Sequence, residues 1–416
     1  MTESEEAALW AASGGMWLTG THQRPLGPPA GLVAGLEQLG HELAAVLATF
    51  PGAATEPKEP RQQSAVDPLE AVVARAGLAG FRRQGDVSCG GGARLLQAQD
   101  GWIALSLARP DDCALVPAWL ELDDAPGGQP ALFEHVGKRV AAMPSALLIE
   151  RGRLLGLPIA GLASVPPPGE DWHDAVIVTQ AGRRRPPPPR PVVVDLSSMW
   201  AGPLCSAVWL LAGARVIKVE SSARPDGARY GSPAFFDLLN AGKESLALDF
   251  ACAADVQLLQ RLLLAADVVV EASRPRALEQ LGIAAAELVV AAPKVWISIT
   301  GYGRTEPGRD WVAFGDDAAV AGGLVAWDGE RPCFCADAIA DPLAGLVAAA
   351  AGLTQYREGR SGLLDVALAR VAAAFAGPTI TTTTDVALDR PRTAASSRRA
   401  ACLGGDSHAI RRQFRA

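Results

Sequence analysis

Residues 191–220 read PVVVDLSSMWAGPLCSAVWLLAGARVIKVE. The run 191–196 is short, rich in β-branched residues and opens on a proline, so it reads as a buried strand. AGPLCSAVWLLAG (201–213) is apolar at helical length and closes on a glycine, and ARVIKVE (214–220) reads as a second strand. Two strands joined through a helix pair in parallel, because a crossover returns the chain to the same end of the sheet. Working outward, 267–272, 295–300 and 363–368 give further strands, separated by helical patterns such as 254–265 and 342–353. The fold class predicted is α/β, with a parallel sheet covered on both faces. The turn after the first strand, SSMWAGPL, lacks the G-x-G-x-x-G that would bring backbone against a pyrophosphate, and the chain has no Walker A pattern, which argues against a bound dinucleotide.

The chain has 416 residues and 49% hydrophobic content, enough for two cores. With 45 acidic against 38 basic residues and a net charge of -7, it is not expected to bind nucleic acid. Seven scattered cysteines without metal-ligand spacing suggest reduced thiols in a cytoplasmic protein. The acidic start MTESEEAALW is unlike a signal peptide, and charge, Gly or Pro interrupts every long apolar run, so no membrane association is expected. The tract RRRPPPPR at 183–190 reads as a stiff linker, and a domain boundary is placed there.

Before that tract the pattern is less regular. ARLLQAQDGWIALSL (93–107) reads as two strands joined at Asp100-Gly101, a type I′ hairpin signal. Gly90, Gly91 and Gly92 precede it, as a slack connector or as a mobile flap. GPPAGLVA at 27–34 repeats DPLAGLVA at 341–348 in six of eight places, with Gly27 where the second copy has Asp341. Asp341 itself stands before a proline and an uncharged run. It reads as an N-cap with Pro at the first helical position, held ionised by the positive helix end. An ionised carboxylate at the edge of a core is also a nucleophile.

The run VVVDLSSMWAGPLCSAVWLLAGARVIKVES (192–221) continues through FFDLLNAGKESLALDF (235–250), ADVVVEASRPRALEQLGI (266–283), WISITGYGRTEPGRDW (296–311), AIADPLAGL (338–346) and EGRSGLLDVAL (358–368). In that order it resembles the family III CoA-transferases, relatives of formyl-CoA transferase, carnitine CoA-transferase and α-methylacyl-CoA racemase. The resemblance implies a Rossmann-like large domain at 191–416 and a smaller α+β domain. Segments 89–110 and 156–164 resemble that small domain, placed ahead of the large one instead of behind it. Region 1–182 is thus small-domain-like, with a degenerate copy of the segment before the acid at 9–45.

The resemblance assigns Asp341 as the covalent nucleophile of a CoA transfer between an acyl-CoA and a free carboxylic acid, with no tightly bound cofactor. It places CoA-binding residues at Trp200, Ala201, Leu239, Asn240, Lys243, Arg274 and Phe314, and gives Gly90, Gly91 and Gly92 the role of a flap over the oxyanion. Lys243 and Arg274 are the expected phosphate partners. Two departures bear on CoA: Ala272 and Ser273 stand where the family has an amide and a ring, and Ser221 where a basic residue or proline is common. A homodimer is implied, with the small domain of one chain closing the other's site.

Two alternatives remain. A racemase needs a histidine before Asp341, but Phe314 holds that place, and His22, His41, His135, His173 and His408 lie elsewhere. Asp316 and Asp317 read as solvated or helix-capping acids. The second alternative is a non-catalytic acyl-CoA-binding subunit.

Overall fold

The first crossover decides the architecture: β5 (Val192–Asp195) and β6 (Arg215–Ser221) pair in parallel around the helix Ala201–Leu211. The computed structural model describes residues 1–50, 66–122, 129–181, 188–381, 387–393 and 396–414; residues 183–187 of the expected linker lie outside them. The described residues form twelve strands: β1 Ala93–Ala98, β2 Gly101–Ser106, β3 Ile159–Gly161, β4 Val176–Ala181, β5, β6, β7 Glu244–Leu248, β8 Val268–Glu271, β9 Val295–Thr300, β10 Val325–Asp328, β11 Arg331–Phe334 and β12 Gly362–Ala367. Seven form one sheet in the order β4-β12-β9-β8-β5-β6-β7, parallel throughout except for β4, which runs antiparallel to β12. β9 and β12 are buried along their whole length, as helices on both faces require. The chain is therefore α/β with a large parallel sheet, as the alternation predicts.

A second unit is an antiparallel sheet β1-β2-β3 with the helices Pro110–Leu120, Gln129–Val140 and Ser145–Leu155. It closes its own core around Trp119, Ile103, Leu105, Val136 and Leu148. The hairpin turns one residue earlier than expected: Ala98 pairs with Gly101, so Gln99 and Asp100 form the turn. Gly101 opens β2 and is not among the residues with positive φ, so the Asp-Gly signal here marks a strand start.

The proline tract is not the boundary between the packed units. β4 precedes the tract yet completes the large sheet, and Trp10, Leu36, Leu39 and Val72 from the first 80 residues share one core with Val347 and Leu353 of the Asp341 helix. Prolines report local stiffness, whereas which strand edge is covered depends on partners far along the chain. The internal echo also parts company structurally. Its second copy is helical from Ala340, but in the first the helix begins only at Leu32. The acid missing from the first copy is supplied in space by Glu6, whose carboxylate accepts from the backbone N–H groups of Gly31, Val33 and Ala34.

Candidate active site

The helix Ala340–Arg357 runs through the core with fourteen of its eighteen residues buried. Its small residues permit this. A side chain begun at Gly345 would come within 2.5 Å of the Ala201 carbonyl oxygen, and one at Gly352 within 2.5 Å of Ile297. Asp341 lies in its first turn, but not as the cap. Ile339 is the N-cap, Asp341 is the second helical residue, and its own N–H donates to the Ala338 carbonyl at 3.0 Å. The same tripeptide Asp-Pro-Leu at 67–69 does cap: Asp67 Oδ1 accepts from Leu69 N–H at 2.9 Å and Glu70 N–H at 3.2 Å.

Relieved of capping, the Asp341 carboxyl faces a pocket of acids. Burial pushes it up to about 7, an effect opposed by the Arg75 guanidinium and reinforced by Asp316 and Asp337, while the Gly315 N–H donates to it. The expectation of a carboxylate held ionised by the helix end is thus reversed, because desolvation and two neighbouring acids outweigh the helix end. Gly315 lies directly against Asp341: a side chain begun there would stand 2.7 Å from Asp341 Oδ2 and 2.2 Å from the Ala338 carbonyl oxygen.

The turn before the helix is held in an unusual shape. Ala336 and Ala338 have φ of 54° and 45°, left-handed values that cost an alanine about 1–3 kcal/mol. Between them Asp337, with no exposed surface, takes both arms of Arg75, at 2.7 Å from Nε and 2.6 Å from Nη2. The Arg75 guanidinium lies 5.2 Å from the Trp200 ring centroid and 6.0 Å from that of Phe81. Asp316 Oδ1 accepts from Ala338 N–H at 3.0 Å, and burial raises Asp316 to about 6, with Asp337 adding to the effect.

Asp316 is half-buried and Asp317 is not solvated. Asp317 is fully buried and raised to about 7 by desolvation; its Oδ1 accepts from Ser106 Oγ at 2.7 Å and Phe314 N–H at 3.0 Å, so its expected capping role stands.

Of the three glycines, which precede β1, Gly90 is the one that comes near this cluster. Gly91 (φ 79°) closes a turn in which its N–H donates to the Ser88 carbonyl at 2.8 Å, and a side chain at Gly90 would begin 3.7 Å from Arg75 Nη2. Gly92 abuts Ala108, and its carbonyl accepts from Leu107 N–H at 2.8 Å. The segment is a tight turn, not a slack connector.

Several residues assigned to CoA by resemblance are core residues. Trp200 and Leu239 are 2% and 3% exposed and pack with Phe235 and Ala338, with Leu78 against them. Ala201 meets the Asp341 helix. Lys243 does not point to a phosphate: its ammonium donates to Asp195 Oδ2 at 3.1 Å, Ser206 Oγ at 2.7 Å, Asn240 Oδ1 at 3.0 Å and the Pro203 carbonyl at 2.9 Å, all buried. Burial lowers Lys243 to about 8, against the pull of Asp195. Asn240 is committed to the same network. The motif LLNAGKES thus braces the end of β5, because a buried ammonium needs its hydrogen bonds satisfied inside.

Arg274 is exposed at the mouth of a cleft of about 870 Å³ between the two units, lined by Arg109, Arg153, Arg274, Arg276 and Trp311. Asp341 does not line it. Phe314 joins the two places: its ring lies 5.3 Å from the Arg109 guanidinium, and the next residue, Gly315, touches Asp341. The sequence reading missed Arg75, Asp337 and Ser88. The available signal was the single basic residue, Arg75, in DPLEAVVARAG (67–77). Among the described residues no cluster of His, Cys, Asp and Glu is arranged to hold a metal, and no helix is long and apolar enough to cross a membrane.

The family model of CoA-transferase family III matches residues 191–405, just over half of the chain. Among curated proteins, a succinyl-CoA--D-citramalate CoA-transferase of Chloroflexus aurantiacus is 31% identical over 191 residues, 42% of this chain and 48% of that one. An (R)-2-hydroxy-4-methylpentanoate CoA-transferase of Clostridioides difficile is 32% identical over 209 residues, covering 46% and 52%. The chain spans about half the length, or less, of such relatives. A solved CAIB/BAIF family protein from Brucella suis aligns at 30% identity over 44% of this chain and 53% of that one, with a TM-score of 0.40, too low to carry an argument. On the match over 191–405, the chain belongs to CoA-transferase family III.

Proposed function

We propose that the chain moves CoA between an acyl-CoA and a small carboxylic acid, with Asp341 as nucleophile. The observation that carries this reading is the close approach of Asp341 to Gly315, possible because residue 315 has no side chain, with a backbone N–H directed at the carboxyl. An Asp341 oxygen attacks the thioester carbonyl, the carbon–sulfur bond breaks, and CoA departs as thiolate, leaving an aspartyl anhydride. The thiolate then attacks the aspartyl carbonyl, releasing the acyl group as its carboxylate and leaving an aspartyl-CoA thioester. The incoming carboxylate reverses both steps. The ionised fraction of Asp341 limits the first step, so the rate rises through neutrality.

Arg274 is suited to CoA phosphates, whereas Arg109 and Arg276 of the same cleft pair with Asp112 and Asp310; the Gly90–Gly92 turn is suited to covering the anhydride. The resemblance adds a homodimer, although here Gly90 lies near Arg75 of the same chain. Seven free cysteines support a cytoplasmic setting.

Mass spectrometry after incubation with a panel of acyl-CoAs and hydroxylamine tests the reading. A hydroxamate on Asp341, absent from Asp341→Ala, is expected; a saturable CoA complex without any adduct overturns transfer and leaves a binding subunit. Racemase-type proton exchange is favoured by one observation, the second raised carboxyl of Asp316 in the same cluster. Solvent deuterium entering the acyl α-carbon without an adduct is its signature.

A further inference from the structure

We propose that Arg75 is the positioning residue of the Asp341 site, its fork fixing the 335–338 turn through Asp337 while its charge stands beside the nucleophile. The inference rests on the proposed nucleophile, and it adds a residue from a helix that lies outside the family-matched segment.

Arg75 and Asp337 are 262 residues apart in sequence, yet the fork is bidentate and both bonds are short. A planar guanidinium that takes two carboxylate oxygens fixes direction as well as distance. Here it fixes the direction of Asp337, which sits between the two left-handed alanines. The second of those alanines is tied to the site at both ends: the Ala338 carbonyl accepts from the Asp341 N–H, and the Ala338 N–H donates to Asp316. Released from Arg75, the strained turn has an easier conformation available, and Asp341 loses the carbonyl that seats its first turn. The rings of Trp200 and Phe81 flank the guanidinium, so its own position is restricted.

The charges point the same way. Asp341 is faced by Asp316 from the helix Gly315–Ala321, by Asp337 from the turn, by the Gly315 N–H, and by Arg75 from the helix Pro68–Ala79; Arg75 is the cation of this set. Three carboxyls around one cation leave a proton to be shared, and the cation decides how readily Asp341 gives its proton up.

Removing Arg75 alone would strand Asp337 as a buried charge, so the informative comparison is Arg75→Met/Asp337→Asn against Asp337→Asn. Infrared difference titration of the full chain reads the protonated carboxyl band, assigned to Asp341 by its loss in Asp341→Asn. The double variant is expected to titrate about half a unit or more above Asp337→Asn, and Arg75→Lys to stay close to wild type. Adduct formation should fall severalfold at pH 7, recover at higher pH, and leave the CoA dissociation constant within about twofold. Coincident titration of the double variant and Asp337→Asn overturns the proposal, as does an adduct rate of the double variant that lies below that of Asp337→Asn by the same factor at every pH. Absence of an adduct in the wild-type chain would instead remove the nucleophile reading, and the infrared comparison would still judge Arg75.

Discussion

Asp341 Oδ2 lies 2.7 Å from the point where a side chain on Gly315 would begin, so residue 315 has to lack one for the carboxyl to occupy its present place. Gly315→Ala would also collide with the Ala338 carbonyl at 2.2 Å. We expect it to cost about 1–3 kcal/mol by overpacking and to reduce Asp341 adduct formation by at least about tenfold, since a displacement near 1 Å is enough for that. Denaturant unfolding and hydroxylamine trapping measure the two effects separately. An alanine variant with wild-type adduct yield would show the approach to Asp341 to be wider than the contact implies.

Asp317 gives the pH dependence of stability a definite sign. Its folded value, raised to about 7, lies above its value in the unfolded chain, near 4. The folded state therefore binds more protons between those limits, and stability falls as pH rises from about 4 to about 7. Asp317→Asn retains an acceptor for Ser106 and Phe314 and does not titrate. The wild type should lose roughly 1–3 kcal/mol more than this variant between pH 5 and pH 8. Parallel stability curves for the two proteins would contradict the assignment.

Lys243 and Arg274 separate the roles that resemblance gave them jointly. Lys243→Met leaves Asp195 buried without its ammonium and is expected to destabilise the fold by about 3–5 kcal/mol, with CoA affinity of the folded fraction unchanged. Arg274→Ala should leave the melting temperature alone and weaken CoA about tenfold, less at high salt. Calorimetric titration alongside thermal melts decides between the two patterns, and a CoA defect in Lys243→Met with intact stability would restore the phosphate role.

The two Asp-Pro-Leu tripeptides give a matched pair. Asp67→Ala removes a side-chain cap and should cost about 1 kcal/mol. Asp341→Ala removes no cap, and it takes a partly buried acid away from Asp316 and Asp337, so it should be neutral or stabilising above pH 7. Equal losses in both variants would mean that Asp341 caps its helix after all.

Much of the large sheet was legible because its signals are local. β5, β6, β8, β9 and β12 fall within a residue or two of their predicted limits, being apolar β-branched runs bounded by turn residues. β4 and β7 were not read: β4 lies at a sheet edge with Ile177 and Val178 exposed, and β7 is short and opens on Glu244, so neither shows a clean apolar pattern. The composition at 183–190 has the same limit, since it marks stiffness and not the partner of the next strand.

At the site the division is sharper. The sequence by itself determined that an acid stands at the start of a buried helix, that three successive glycines precede a hairpin, and that the crossover order makes a parallel sheet, all of which follow from residue type and spacing. Only the tertiary structure decided that Asp341 is not a cap, that Lys243 is a buried brace, and that Arg75 and Asp337 meet beside Asp341. Protonation and hydrogen-bond partnership depend on the dielectric and charges within a few ångströms, and here folding draws those neighbours from positions 262 residues apart.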